Sequence, residues 1–402
     1  MLFNNSGRRI RPPSIAPARG LSGSLQVFLF KVLQTSGAQP STRREKTVCR
    51  HPSATRCTTP GSHGRPAVPM NKTYWNLSLS SSVANMRGLF ALLTIFASSA
   101  VLAGSSCIAF DTKWNLLAFG FNGRDYNAST SDTWASGIAV DITASGRPPF
   151  NGENAKCYLA QFFNAIYVLG ADISRPSDVY IYDATHKSWS LQAVTAGTFN
   201  PSSFEAILDH DTNLFYALSK GEIYVLDMGE LATAQGSAIS WQDLEPSGIT
   251  TTYNPVMGIA QNQIYFFGVP DVAPGSVLVY IIHFSFLEPD PQNYGTFPDT
   301  HGQAASFFLD SGVQQNIAFI PDDGSHAYIV NVLTNVTQIV AGPSIVDPAA
   351  TYFASTTALV QLASSGAVSW LPFNASDASV NSAAKWSVVQ SLAAVAPPAG
   401  VR

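Results

Sequence analysis

Ala165-Ile166-Tyr167-Val168-Leu169-Gly170, followed by Asp178-Val179-Tyr180-Ile181-Tyr182-Asp183 and then Trp189, is the most legible stretch of this 402-residue chain. Its β-branched and aromatic residues fall into short runs closed off by Gly, Pro, Asn, Asp and Ser, the pattern of strands separated by tight turns. Taken with the segment before it, the stretch reads as four consecutive strands: 157–163, 165–170, 178–183 and 189–194.

Outward from there, comparable runs occur at 116–121, 214–218, 264–267, 317–320 and 358–362, and no helical pattern of useful length appears after residue 104. The runs are regularly placed. Asn115, Asn164, Asn213 and Asn262 each stand just before one of them, with successive differences of 49, 49 and 49, and Asn316 precedes the next after a longer gap. A self-similar period near 50 made of short strands predicts an all-β fold, a β-propeller of four-stranded antiparallel blades. One blade cannot cover both faces of its own sheet, so blades stack radially and bury one another. Six units can be traced, starting near Cys107, Cys157, Phe204, Val256, Ala304 and Thr351. Seven blades is the alternative, because the first unit is irregular between Asp125 and Asp141. A β-sandwich would share the strand spacing but not the repeat.

The second unit, with its 165–170 strand, its Tyr182-Asp183 element and the following Trp189, resembles a kelch repeat, although the second glycine of that pattern is Ala171 here. Partial echoes occur at Glu222-Ile223-Tyr224-Val225-Leu226-Asp227 with Trp241, and at Ile264-Tyr265-Phe266-Phe267-Gly268 with Val277-Leu278-Val279-Tyr280. In this respect the chain is similar to the secreted fungal kelch-like propellers of the galactose oxidase type. That resemblance implies a copper held by two histidines and two tyrosines, one tyrosine bonded to a cysteine, with an adjacent Tyr-His pair as its visible mark. None of His186, His210, His283, His301 and His326 follows a tyrosine. The resemblance therefore extends to the propeller alone, and no cofactor or metal is expected.

Charge divides the chain at Met86. Residues 1–86 carry twelve bases and one acid, Glu45, whereas the remainder carries ten bases and twenty-five acids, a balance of −15. Met86-Arg87-Gly88, the apolar run 89–96 and the small residues ending at Ala103 have the layout of a cleavable secretory signal. The run is too short for the roughly 20 apolar residues of a membrane span. The expected organisation is a disordered basic segment over 1–85, a signal peptide over 86–103, a propeller domain over 104–396 and a linker-like tail over 397–402. The basic segment is read as an upstream extension of the gene model, with a start at Met70 as the alternative. The acidic remainder argues against nucleic acid or anionic membrane as partner, because phosphates would be repelled. A secreted, extracellular monomer is expected.

Only Cys107 and Cys157 remain after processing, and in an oxidising compartment they pair most simply with each other, two free thiols being the alternative. Since both open inner strands of adjacent units, a bond would staple the first blade to the second near the channel, where the ring most needs closure. Asn127, Asn335 and Asn374 lie in Asn-X-Ser/Thr acceptors within polar stretches, which makes them candidate glycosylation sites.

No nucleophile elbow, zinc helix motif or phosphate loop is present. Asp209-His210-Asp211-Thr212-Asn213 alternates oxygens as a calcium loop does but continues with Leu214 and offers Lys220 where the bidentate glutamate belongs, so it reads as a hairpin turn, as does Asp322-Asp323-Gly324. Asp111, Asp141, Asp172, Asp178 and Asp183 are available for two-carboxylate hydrolysis, but nothing in their spacing selects a pair. The expected function is a non-catalytic extracellular binding module for carbohydrate, cell-wall material or an extracellular protein. An extracellular hydrolase or oxidoreductase is the alternative, and the catalytic residues are unknown. Trp189 and Trp241 follow the blade pattern and are expected in outer-strand packing. Trp134, in the irregular first unit, is the candidate ligand platform.

Overall fold

In the runs around 165–169 and 214–219 nearly every residue is buried rather than every second one. A strand reads this way when both faces of its sheet are covered. The computed structural model describes residues 105–152 and 154–396, and in it each sheet is indeed packed on both sides. The expected basic segment, signal peptide and cleavage site, and the expected tail from 397 onward, lie outside the described residues.

The fold is a six-bladed β-propeller, and each four-stranded antiparallel blade runs from the channel outward in chain order. The second blade comprises Lys156–Ala160, Ala165–Leu169, Val179–Asp183 and Ser188–Gln192. The other inner strands are Cys107–Phe110, Glu205–Asp209, Met257–Ala260, Gly302–Ser306 and Thr351–Ala354. Each of the six inner strands contacts the next, and the sixth contacts the first, which closes the ring.

Alternation decides which joint each side chain fills. In the first blade Cys107, Ala109, Leu117 and Phe119 face the second blade, whereas Ile108, Phe110, Leu116 and Ala118 face the sixth. Among the described residues one apolar cluster of this kind fills each of the six joints. The irregular first unit is a blade with a two-residue outer strand, Val140–Asp141, so the seventh blade has no place.

The recurrent asparagines have a conformational cause. Asn164, Asn213 and Asn262 have φ values of 49°, 57° and 55°, the left-handed region that asparagine tolerates better than other side chains, and each sits in the turn from inner to second strand. Their amides also work between blades. Asn164 accepts from the Thr112 N–H at 3.0 Å and donates to Thr185 Oγ1 at 3.1 Å, joining turns of the first and second blades. Asn213 donates to the Tyr167 hydroxyl at 2.8 Å and to the Gly229 carbonyl at 2.6 Å, joining the second and third. In the first blade the left-handed residue is Trp114, one position earlier.

Cys107 and Cys157 form a disulfide between the first two inner strands, with Cα atoms 5.7 Å apart. The joint in need of closure is a different one. The last strand of the sixth blade, Ser387–Val388, comes from the C-terminal side of the blade, and among the described residues no strand of the first blade's side of the chain joins that sheet. The seam between the sixth and first blades is held by packing and by a few hydrogen bonds, including Asn122 Nδ2 to the carbonyls of Val395 and Ala396 at 2.9 and 3.1 Å.

Candidate functional site

The turns from inner to second strand gather at one end of the channel. Five of these connections are short, the longest being 111–115, whereas that of the fifth blade runs from 307 to 315. This longer loop crosses the mouth. Asp310 accepts from the Trp114 indole N–H at 3.0 Å, the Leu309 carbonyl accepts from Gln161 Nε2 at 2.8 Å, and the Gln314 carbonyl accepts from the Gln261 N–H at 2.9 Å. Phe308 packs against Trp114, His210 and Phe353 with ring centroids 5.9–6.1 Å apart. The loop thus touches the first, second, third, fourth and sixth blades and plugs that end. Phe162, 68 % exposed, stacks on the buried His210 beside it.

Next to the plugged mouth, on the same face, a cleft of about 330 Å³ opens between the first and second blades. Leu117, Ile142 and Tyr182 give it an apolar and aromatic floor, and Asn115, Asn127, Asn164, Thr185, Lys113 and Lys187 give it polar walls. Asp111 is the single carboxylate of this lining. It is already occupied as a turn brace, accepting from the Lys113 N–H, the Asn115 N–H and Asn115 Nδ2, each at 2.9 Å. Burial, and secondarily the nearby Asp125, pushes the Tyr182 hydroxyl up to about 12, so it stays protonated. The cleft therefore presents amides, hydroxyls and two ammonium groups to a ligand, and no second carboxylate faces Asp111 there. Recognition of a hydroxyl-rich molecule is chemistry it can perform.

The structure places Trp134 elsewhere than on a ligand surface. It is 1 % exposed, its indole N–H donates to the Ser129 carbonyl at 3.0 Å, and its ring meets Phe110 and Trp370 at the seam of the sixth and first blades. A side chain so enclosed has no free face for a ligand, and packing is what it does. Trp189 packs on Phe119 and Tyr182 from its outer strand, and Trp241 stacks on Phe199 at 4.2 Å just before the outer strand of the third blade.

Asn335 and Asn374 are exposed, Asn335 in the turn between the last two strands of the fifth blade. Asn127 is half-buried and lines the cleft. The Asp209–Asn213 segment is the turn between the first two strands of the third blade, with Asp209 accepting from Thr212 Oγ1 at 2.7 Å. The histidines are spread over the ring. His186 pairs with Asp183 at 2.7 Å in the second blade, and His301 lies between Asp322 and Asn254, each at 2.7 Å, at the fifth. Among the described residues no three His, Cys, Asp or Glu side chains are grouped to hold a metal ion. Among the proposed hydrolytic carboxylates, Asp141 pairs with Arg124, Asp172 accepts from the Tyr180 hydroxyl, and Asp178 accepts from the Val194 N–H.

Sequence reasoning did not identify the cleft, the plug or the Phe162–His210 stack. The plug did leave a trace: Asn316 follows Asn262 by 54 residues where the earlier spacing is 49. No family model matches this chain, and no curated protein is found to be similar to it.

Proposed function

We propose that this chain is a secreted, non-catalytic binding module that takes carbohydrate or cell-wall material in the cleft between its first two blades. The observation that carries this reading is the combination in one cleft of an apolar and aromatic floor with walls of Asn115, Asn127, Asn164, Thr185, Lys113 and Lys187, while its one acid is used to brace a turn. Sugars offer an apolar ring face and many hydroxyls, and amides and ammonium groups around an aromatic floor answer both. The kelch-like pattern of the second blade supports a kinship in fold with secreted fungal propellers of the galactose oxidase type, without their copper ligands.

The test is a glycan array probed with the full chain, before and after enzymatic removal of N-linked glycans, because a glycan on Asn127 would itself lie in the cleft. A specific sugar signal is expected. Lys113→Ala combined with Lys187→Ala, both exposed side chains, should weaken it at least about tenfold, the loss of roughly one charge-assisted hydrogen bond. No retained glycan, or binding unchanged in the double variant, overturns the assignment. Turnover of the bound glycan replaces it with an extracellular hydrolase.

A further inference from the structure

Two turns wall the cleft between the first and second blades, and one amide clamps them together. Asn164 accepts from the Thr112 N–H at 3.0 Å in the first turn and donates to Thr185 Oγ1 at 3.1 Å in the second. Lys113 directly follows Thr112, and Lys187 stands two residues after Thr185. Both lysines are exposed and both line the cleft, so the clamp sets two ammonium-bearing turns on either side of one opening.

Each turn satisfies its own carboxylate without a lysine. Asp111 is filled by the Lys113 N–H, the Asn115 N–H and Asn115 Nδ2, as described above. Asp183 accepts from the Thr185 and His186 N–H groups at 2.9 Å and pairs with His186 Nδ1 at 2.7 Å. Elsewhere in this acidic part of the chain the cations are used. Arg124, Arg147, Lys156 and Arg175 are each paired with a carboxylate, whereas among the described residues no carboxylate pairs with Lys113 or Lys187.

The amides of the lining are largely spent by comparison. Asn115 Nδ2 serves Asp111, both ends of the Asn164 amide serve the clamp, and Asn127 Oδ1 accepts from the Ser129 N–H at 2.7 Å. The donors left over at the rim are therefore charged. Two exposed ammonium groups beside one opening attract an anion, and a charge-assisted hydrogen bond is stronger than a neutral one. We propose, resting on the reading of this cleft as a carbohydrate site, that it takes an anionic sugar, whose carboxylate or sulfate is held at the rim by Lys113 and Lys187. An ammonium is a compact point charge rather than a planar fork, so the pair accepts either group. A ligand anion at the rim stays partly hydrated and remote from the enclosed Asp111, which keeps the cost of desolvation small.

The experiment measures binding of the full chain to oligogalacturonate, oligoglucuronate and chondroitin sulfate. Each is paired with a neutralised form, methyl-esterified or desulfated, and neutral glucan, mannan and chitin oligomers are run alongside. At least one acidic glycan should bind about tenfold or more tightly than its neutralised form. Lys113→Gln with Lys187→Gln should remove that preference, and Lys113→Arg with Lys187→Arg should keep it. A preference for uronates or for the sulfated chain identifies which anion is held. Binding of neutral oligomers with no gain from charge overturns the anionic assignment and leaves the carbohydrate reading standing. A charge preference that survives the double Gln variant also overturns it, by placing the anion elsewhere. Binding of no glycan in either set overturns the carbohydrate reading and this assignment with it.

Discussion

Asp125 is fully enclosed on the third strand of the first blade and is held by Arg147 through two hydrogen bonds of 2.8 and 2.9 Å. It also accepts from the Gly120 N–H, and Arg147 lies over the Phe150 ring at 5.0 Å. Removing the guanidinium leaves a buried carboxylate without its counter-charge. Arg147→Ala should therefore cost about 3–5 kcal/mol in denaturant unfolding, and Arg147→Lys should recover only part, because lysine cannot reproduce the planar two-point contact. Asn213 offers a finer test. Asn213→Ala loses both the left-handed preference and the clasp on Tyr167 and Gly229, for about 1–3 kcal/mol, whereas Asn213→Gly regains the backbone term alone. Equal destabilisation by both substitutions would show that the clasp, not the turn, sets the asparagine. The 49-residue spacing of these asparagines was legible in the chain, but their bonds to neighbouring blades were not, because those partners lie in other turns.

Among the elements, the joints between blades are not equivalent. The first and second blades share a disulfide, and the second and third share a short parallel ladder of Val194–Thr195 with Ile239–Ser240. The sixth and first meet through side chains at Trp134 and Trp370, 5.0 Å apart and nearly perpendicular. Two predictions follow from this inequality. Cys107→Ala with Cys157→Ala should cost roughly 3–4 kcal/mol, the entropy of a loop of about 50 residues. Trp134→Ala, which hollows the seam, should cost about 3–5 kcal/mol. In hydrogen exchange the Trp134 variant should lose protection first in Leu116–Phe121 and Ala358–Leu362, the strands on either side of the seam. Loss spread evenly over the ring would contradict a local seam. The place of the disulfide could be read from the unit starts, whereas the seam could not, since it depends on where the last strand comes from.

For the whole molecule the tyrosines set the alkaline limit. Burial first of all pushes Tyr167, Tyr180, Tyr182 and Tyr216 up to about 12, from an ordinary value near 10. A raised folded value means that the unfolded chain loses these protons first. The stability they contribute is complete below about pH 10 and is lost as the pH climbs through about 12. Over that window Tyr167 alone should lower the folding equilibrium constant about tenfold per pH unit. Phenolate absorbance should rise together with unfolding as a single cooperative step. A phenolate signal that precedes loss of the fold would show that these hydroxyls reach solvent in the native state.

While the structure settled six blades over seven, the sequence by itself determined the strands, the repeat of about 50 residues and the matching positions of Cys107 and Cys157. Each of these is written locally: β-branched and aromatic runs between turn residues, a fixed spacing, and runs apolar on both faces because every blade is covered by two others. Only the tertiary structure decided what the loops make. The 307–315 loop became a plug because five other blades present partners to it, Trp134 became seam packing because the sixth blade supplies Trp370, and the cleft exists because turns about 50 residues apart converge. Side chains that meet only across a closed ring carry no mark of one another in the order of the chain.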